Sequence, residues 1–246
     1  MTLSIKSVHK RGFIFGSVVV LLGLLSIPEL THTNAGESQS LGSVRDGGLD
    51  NGWLLPYRGT NFRYFSLFSY YILDNAYVNH SVWHTVIDAY QTCETSCPGT
   101  EFVIMECTRK RGGRMLLHWT HQNGTSVDFM APVLKPDLTP SFSSHAGLFH
   151  YLLQFDETGR LKLSGGSRID FETMARHILA VDDAAKQHGL YIYKILFNTH
   201  MLDELYATPS GQEIQQRGIR IIPHVSDLVN RFHDDHYHID FGFGKK

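Results

Sequence analysis

Eight residues near the C-terminus, HDDHYHID (residues 233–240), hold three histidines and three aspartates. From His236 onward polar and apolar residues alternate. A strand there would present His236, His238 and Asp240 on one face and Tyr237, Ile239 and Phe241 on the other. Burial of the apolar face would anchor a row of metal-ligand side chains on the opposite one. One strand seldom supplies a whole metal site, so partners must come from elsewhere. The segment LHWTHQNGTSVDF (residues 117–129) offers them: a turn at Gly124, followed by a strand through Ser126, Val127 and Asp128, would bring His121 and Asp128 to one point. His121, Asp128 and His238 then supply two nitrogens and one oxygen. That is the three-ligand set of a catalytic zinc, with a fourth position left for water, whereas structural zinc is closed by four ligands and rich in cysteine. His236, on the same strand face as His238, lies within reach of that water.

Together the two segments resemble the signature of the lysostaphin-type and D-alanyl-D-alanine metallopeptidase superfamily, and within it the penicillin-insensitive murein endopeptidases. The specific matches are residues 111–129 and 233–241. Between them, the LFN run and short helix of residues 196–206 also fit the layout. The resemblance implies Zn2+ held by His121, Asp128 and His238. It implies His236 as the catalytic histidine beside the metal, His233 as a second active-site histidine, and His118, just before the first ligand, as a substrate-binding residue. Asp235 stands three residues before the last ligand, where D-alanyl-D-alanine peptidases of the superfamily place a glutamate base. The base is therefore one of His236, Asp235 and His233. Two positions depart from the pattern: Thr120 replaces a frequent serine, and Thr125 to Val127 fill an interval that often holds aspartate or arginine. The implied activity is endopeptidase cleavage of the D-alanyl–diaminopimelate cross-links of peptidoglycan. The alternatives are a D-alanyl-D-alanine carboxypeptidase and a non-catalytic zinc-containing module that binds the cell wall.

Composition bounds these readings. A chain of 246 residues, 42% hydrophobic, is enough for one globular domain. A net charge of −2 lacks the broad basic field of a nucleic-acid-binding protein. With 15 histidines in the chain, spacing and not mere presence must identify a site. Lys6, Lys10 and Arg11 precede an apolar run over residues 12–27, the order of a secretory leader. That run is shorter than the ~20 residues of a comfortable membrane span. Residues 1–35 thus read as a signal peptide, with Thr33 to Ala35 a cleavage site, and the protein as periplasmic or secreted. A membrane tether would follow only from an uncleaved leader. Export permits disulfides, and Cys93, Cys97 and Cys107 suggest one bridge, either Cys93–Cys97 or one of these with Cys107. A serine acyl-enzyme has little support: the one Ser-x-x-Lys, Ser7 to Lys10, lies in the leader, and no Gly-x-Ser-x-Gly occurs.

The elements that must position the site follow from periodicity. Residues 36–52, rich in Gly, Ser and Asp, read as a flexible linker, and the metallopeptidase domain as residues 53–246. Helical spacing marks residues 80–92. A longer helix over residues 169–189 starts at Asp170 and stops at Gly189. Residues 101–107, 190–198, 219–223 and the final histidine segment read as strands, and residues 199–208 as a short helix. Strands and helices mixed without βαβ alternation predict an α+β fold: a small antiparallel sheet carrying the zinc site, flanked by helices.

Overall fold

The computed structural model describes residues 28–115, 118–162 and 166–244. The fold is α+β. Its centre is a five-stranded sheet of β1 (Phe62–Tyr64), β2 (Phe102–Ile104), β3 (Ser126–Met130), β4 (Leu190–Leu196) and β5 (His236–Phe243), in the order β4-β5-β3-β2-β1. Pairing is antiparallel from β4 through β2, while β1 joins β2 in parallel, which makes the sheet mixed.

Two long helices cover one face. The first, α1 (His80–Ser96), is capped by the Asn79 side chain, which accepts from Ser81 N–H at 3.0 Å. The second, α2 (Phe171–Gln187), is capped by Asp170, which accepts from Thr173 N–H at 3.1 Å and satisfies one of the orphan donors of the first turn. The two helices pack on each other, and α2 also packs on β4. The apolar face of β5, Tyr237, Ile239 and Phe241, is buried as the alternation predicts. Tyr237 bonds its hydroxyl to His177 Nδ1 of α2 at 2.7 Å. His177 is caged by the rings of Tyr90, Phe102 and Phe129, and burial alone lowers its pKa to about 3. It is a neutral core histidine. With this face committed to the helices, the other face of the sheet carries the site.

Several expectations are corrected. Residues 36–52 are no linker: Gln39–Gly42 and Gly47–Asp50 form an antiparallel hairpin, and Leu49 is 1% exposed. The glycines and polar residues that suggest a linker are those a tight hairpin needs. Residues 1–27 of the expected leader lie outside the described residues. Residues 28–35 pack on the body: Glu29 accepts from Tyr57 N–H and from the hydroxyls of Tyr70 and Tyr71, and Asn34 exchanges two hydrogen bonds with the Leu54 backbone. No described helix is long and apolar enough to cross a membrane. All three cysteines are free and buried. Cys93, in the last turns of α1, and Cys97, its C-cap, stand one helical turn apart and are not bridged. Residues 219–223 make no strand, because they meet β4 only through an isolated bridge, Ile195 with Ile221. The helices Leu67–Tyr71, Pro209–Gln216 and Asp227–Phe232 add to those that periodicity predicts.

The hairpin braces the loop that holds His121. Val44 C=O accepts from Gln122 N–H at 3.1 Å, and Leu49 N–H donates to Arg111 C=O at 3.0 Å. Leu49 also lies against Gly124, where an added Cβ would come within 2.8 Å of its Cδ1 and where φ is +79°, so only glycine fits. Leu49→Ala should cost about 2–5 kcal/mol of unfolding free energy in chemical denaturation. A loss below about 0.5 kcal/mol would mean that the hairpin is not part of the cooperative core.

Candidate metal centre

Register places the first two ligand candidates. In the β5–β3 ladder His238 stands directly opposite Asp128, His236 opposite Met130 and Asp240 opposite Ser126. A slip of one residue would turn every one of these side chains into the helix layer, so burial of Tyr237, Ile239 and Phe241 fixes the site geometry. The third candidate, His121, comes from the loop before Gly124 with φ +68°, a left-handed conformation that histidine adopts more readily than most residues. The loop thereby turns the ring inward, where it is 1% exposed.

Four atoms of three side chains converge. His238 Nδ1 lies 2.7 Å from Asp128 Oδ1 and 3.0 Å from His121 Nε2, and His121 Nε2 lies 3.2 Å from Asp128 Oδ2. A tetrahedron with ligands about 2.0–2.2 Å from zinc has edges of roughly 3.3 Å. The triangle is close to that size. Its chemistry points the same way. The other nitrogen of His238, Nε2, lies 2.7 Å from Asp240 Oδ1; with a proton held there, Nδ1 is the nitrogen that a metal ion would take by displacing its proton. Two imidazole nitrogens and a carboxylate then face one another in a buried triangle, and a cation there would take the place of the His238 proton.

Without an ion, protonated His238 carries the positive charge at the centre of the site. Burial would push the Asp128 carboxyl up, but His121 and His238 beside it hold it well below the usual carboxylate range. Burial opposes His238 as well, yet Asp240 and Asp128 raise it to about 10. Asp240, 0% exposed, is held low against burial by His238; it also accepts from the Ser126 hydroxyl and pairs with Lys194 Nζ at 3.1 Å. Asp235 is lowered to about 2, because bonds from His150 and His236 outweigh its burial. Among the described residues, Lys194 is the one lysine or arginine ion-paired with Asp128, Asp235 or Asp240. A divalent ion fits that balance, and the donor set is one that zinc takes.

The remaining predicted residues gather around this centre. His118 Nδ1 lies 4.0 Å from Asp128 Oδ2, and burial with neighbouring His121 lowers its pKa to about 3. His118, His121 and Asp128 offer ligand atoms within 4.8 Å of one another, but the 4.0 Å separation exceeds a tetrahedral edge, and His238 closes the tighter triangle. His233 bonds Nδ1 to Val229 C=O at 2.7 Å, its ring centroid 4.9 Å from that of His236 and 6.5 Å from that of His238. Burial and His236 lower its pKa to about 3. His236 is buried, and Asp235 raises its pKa against desolvation. Asp235, expected as a candidate base, has both carboxylate oxygens engaged, Oδ1 by His236 Nδ1 at 2.7 Å and Oδ2 by His150 Nδ1 at 2.8 Å.

Sequence reasoning missed three members of the site. Asp240 was visible on the correct strand face, but nothing local marked it as the partner of His238. Glu106 sits in an otherwise apolar strand-like run, a signal that could have been read. Burial and nearby Asp128 push its pKa up to about 8, which favours the neutral acid. His150 lies alone in the apolar run GLFHYL, and no spacing connects it to Asp235, 85 residues away. No protein-family model matches this chain, and no curated protein matches it.

Proposed function

We propose that the protein is an exported zinc-dependent murein endopeptidase that hydrolyses the D-alanyl–diaminopimelate cross-links of peptidoglycan. The observation that carries the metal assignment is the buried triangle of His121 Nε2, Asp128 and His238 Nδ1, with edges of 2.7–3.2 Å and Asp240 behind His238. The substrate class rests on the resemblance of residues 111–129 and 233–241 to the murein endopeptidases, and export on the leader-like N-terminus. When bound, zinc lowers the pKa of a coordinated water and polarises a peptide carbonyl.

The protein's own groups supply the rest. Asp240 accepts the Nε2–H of His238 and fixes the tautomer that presents Nδ1 to the ion. Asp235 accepts the Nδ1–H of His236, which leaves His236 Nε2 free to handle a proton. Water adds to the scissile carbonyl carbon, His236 Nε2 takes one of its protons, and that proton passes to the leaving amine as the C–N bond breaks. Asp235 serves as the orienting carboxylate and His236 as base and then acid. His233 and His118 line the approach, both neutral at pH 7, and can accept hydrogen bonds from substrate amides.

Digestion of purified cross-linked muropeptide dimers tests this. Monomers should appear, the reaction should stop with a chelator and resume with added zinc, and it should persist under saturating penicillin. Release of a terminal D-alanine alone would identify a carboxypeptidase. Intact dimers beside a zinc-loaded protein would favour wall binding, and penicillin-sensitive, chelator-resistant cleavage would refute the metal mechanism.

A further inference from the structure

We propose that His150 is a positioning residue for His236, acting through the carboxylate of Asp235. This rests on the reading of His236 as the proton-handling group. His150, Asp235 and His236 group as three ligand-type side chains, but their contacts are those of hydrogen bonds. Each imidazole meets a different oxygen of Asp235, His150 Nδ1 at Oδ2 and His236 Nδ1 at Oδ1, at 2.8 and 2.7 Å. An ionised carboxylate only accepts, so both rings carry their proton on Nδ1.

The second bond does what one cannot. A carboxylate held by His236 alone can turn about its terminal torsion and exchange its oxygens, because that torsion is broad. With His150 on Oδ2 the carboxylate plane is fixed, and with it the ring plane and tautomer of His236. His150 is itself well held. Its ring packs edge-on to Phe65 at 5.7 Å between centroids and lies 3.9 Å from Tyr151. In the 3-10 turn Gly147–Leu152, His150 alone is buried, while Leu148, Phe149 and Leu152 face outward. The turn therefore docks through this histidine. His150 Nε2 is buried without a hydrogen-bond partner, a cost that the charge-assisted bond from Nδ1 to Asp235 offsets. An apolar side chain would fill the space without that cost, so packing alone does not account for histidine here.

The test compares His150→Leu, which removes the donor, with His150→Gln, whose amide can restore it, in the zinc-loaded full chain. Nitrogen-15 NMR of the imidazoles, with His236 identified by its loss in His236→Ala, reads the tautomer directly. His236 should be Nδ1–H in the wild type and in His150→Gln, and mixed in His150→Leu. Zinc content should stay unchanged in both. Turnover of muropeptide dimers should fall about 10–100-fold in His150→Leu with KM little changed, and largely recover in His150→Gln. An unaltered His236 tautomer in folded, zinc-loaded His150→Leu overturns the proposal, and loss of zinc would reassign His150 to the metal centre. Should His150→Leu fail to fold, His150→Phe, which keeps a ring but has no donor, takes its place with the same outcomes. Absence of hydrolysis by the wild type would refute the proposed function, while the tautomer measurement would still decide the role of His150.

Discussion

His238→Ala should yield a protein without bound zinc and without hydrolytic activity. The substitution removes one vertex of the ligand triangle and also the partner of a fully buried carboxylate, since Asp240 would keep only Ser126 and Lys194. His121→Ala should lose the metal as well, although it leaves the His238–Asp240 pair intact. Asp240→Asn keeps all three ligands and should weaken zinc binding about 10–100-fold, the usual effect of removing the partner of a ligating histidine. Elemental analysis after dialysis separates these cases. Wild-type zinc content in His121→Ala or His238→Ala would show that the ion sits elsewhere.

His236→Ala should behave in the opposite way: zinc stays bound, while turnover falls by about 10²–10⁴-fold, the range for loss of a general acid–base. Although His236 is only two residues from His238 and on the same strand face, its Nδ1 is committed to Asp235 and stands outside the ligand triangle. Single-turnover kinetics on muropeptide dimers, with metal content measured on the same samples, check this. Loss of zinc together with activity would make His236 a ligand.

What could be read from the residues was what a local period or cap dictates. The two faces of β5 follow from strict alternation, and α2 follows from its apolar stripe and Asp170 cap. His121, Asp128 and His238 were legible because the Gly124 turn and the β5 alternation each fix a direction, and both directions lead to one face of the sheet. What was not legible depends on distant contacts. The hairpin of residues 39–50 has a linker's composition, and only the burial of Leu49 against Gly124 distinguishes it. The parallel pairing of β1 with β2 leaves no local trace. Residues 219–223 are apolar enough for a strand, but they find a single bridge. A count of three cysteines says nothing of whether they meet in bridging geometry. His150 joins the site through a bond that spans 85 residues of sequence.

Two histidines and one aspartate are proposed to hold a zinc ion on the face of the sheet away from the two long helices, with no cysteine involved. X-ray absorption at the zinc edge, on the purified wild-type protein, tests it most directly. The predicted first shell contains only nitrogen and oxygen at about 2.0–2.2 Å, with the outer-shell scattering of two imidazoles. A sulfur shell at about 2.3 Å, or no zinc in the protein at all, would contradict it.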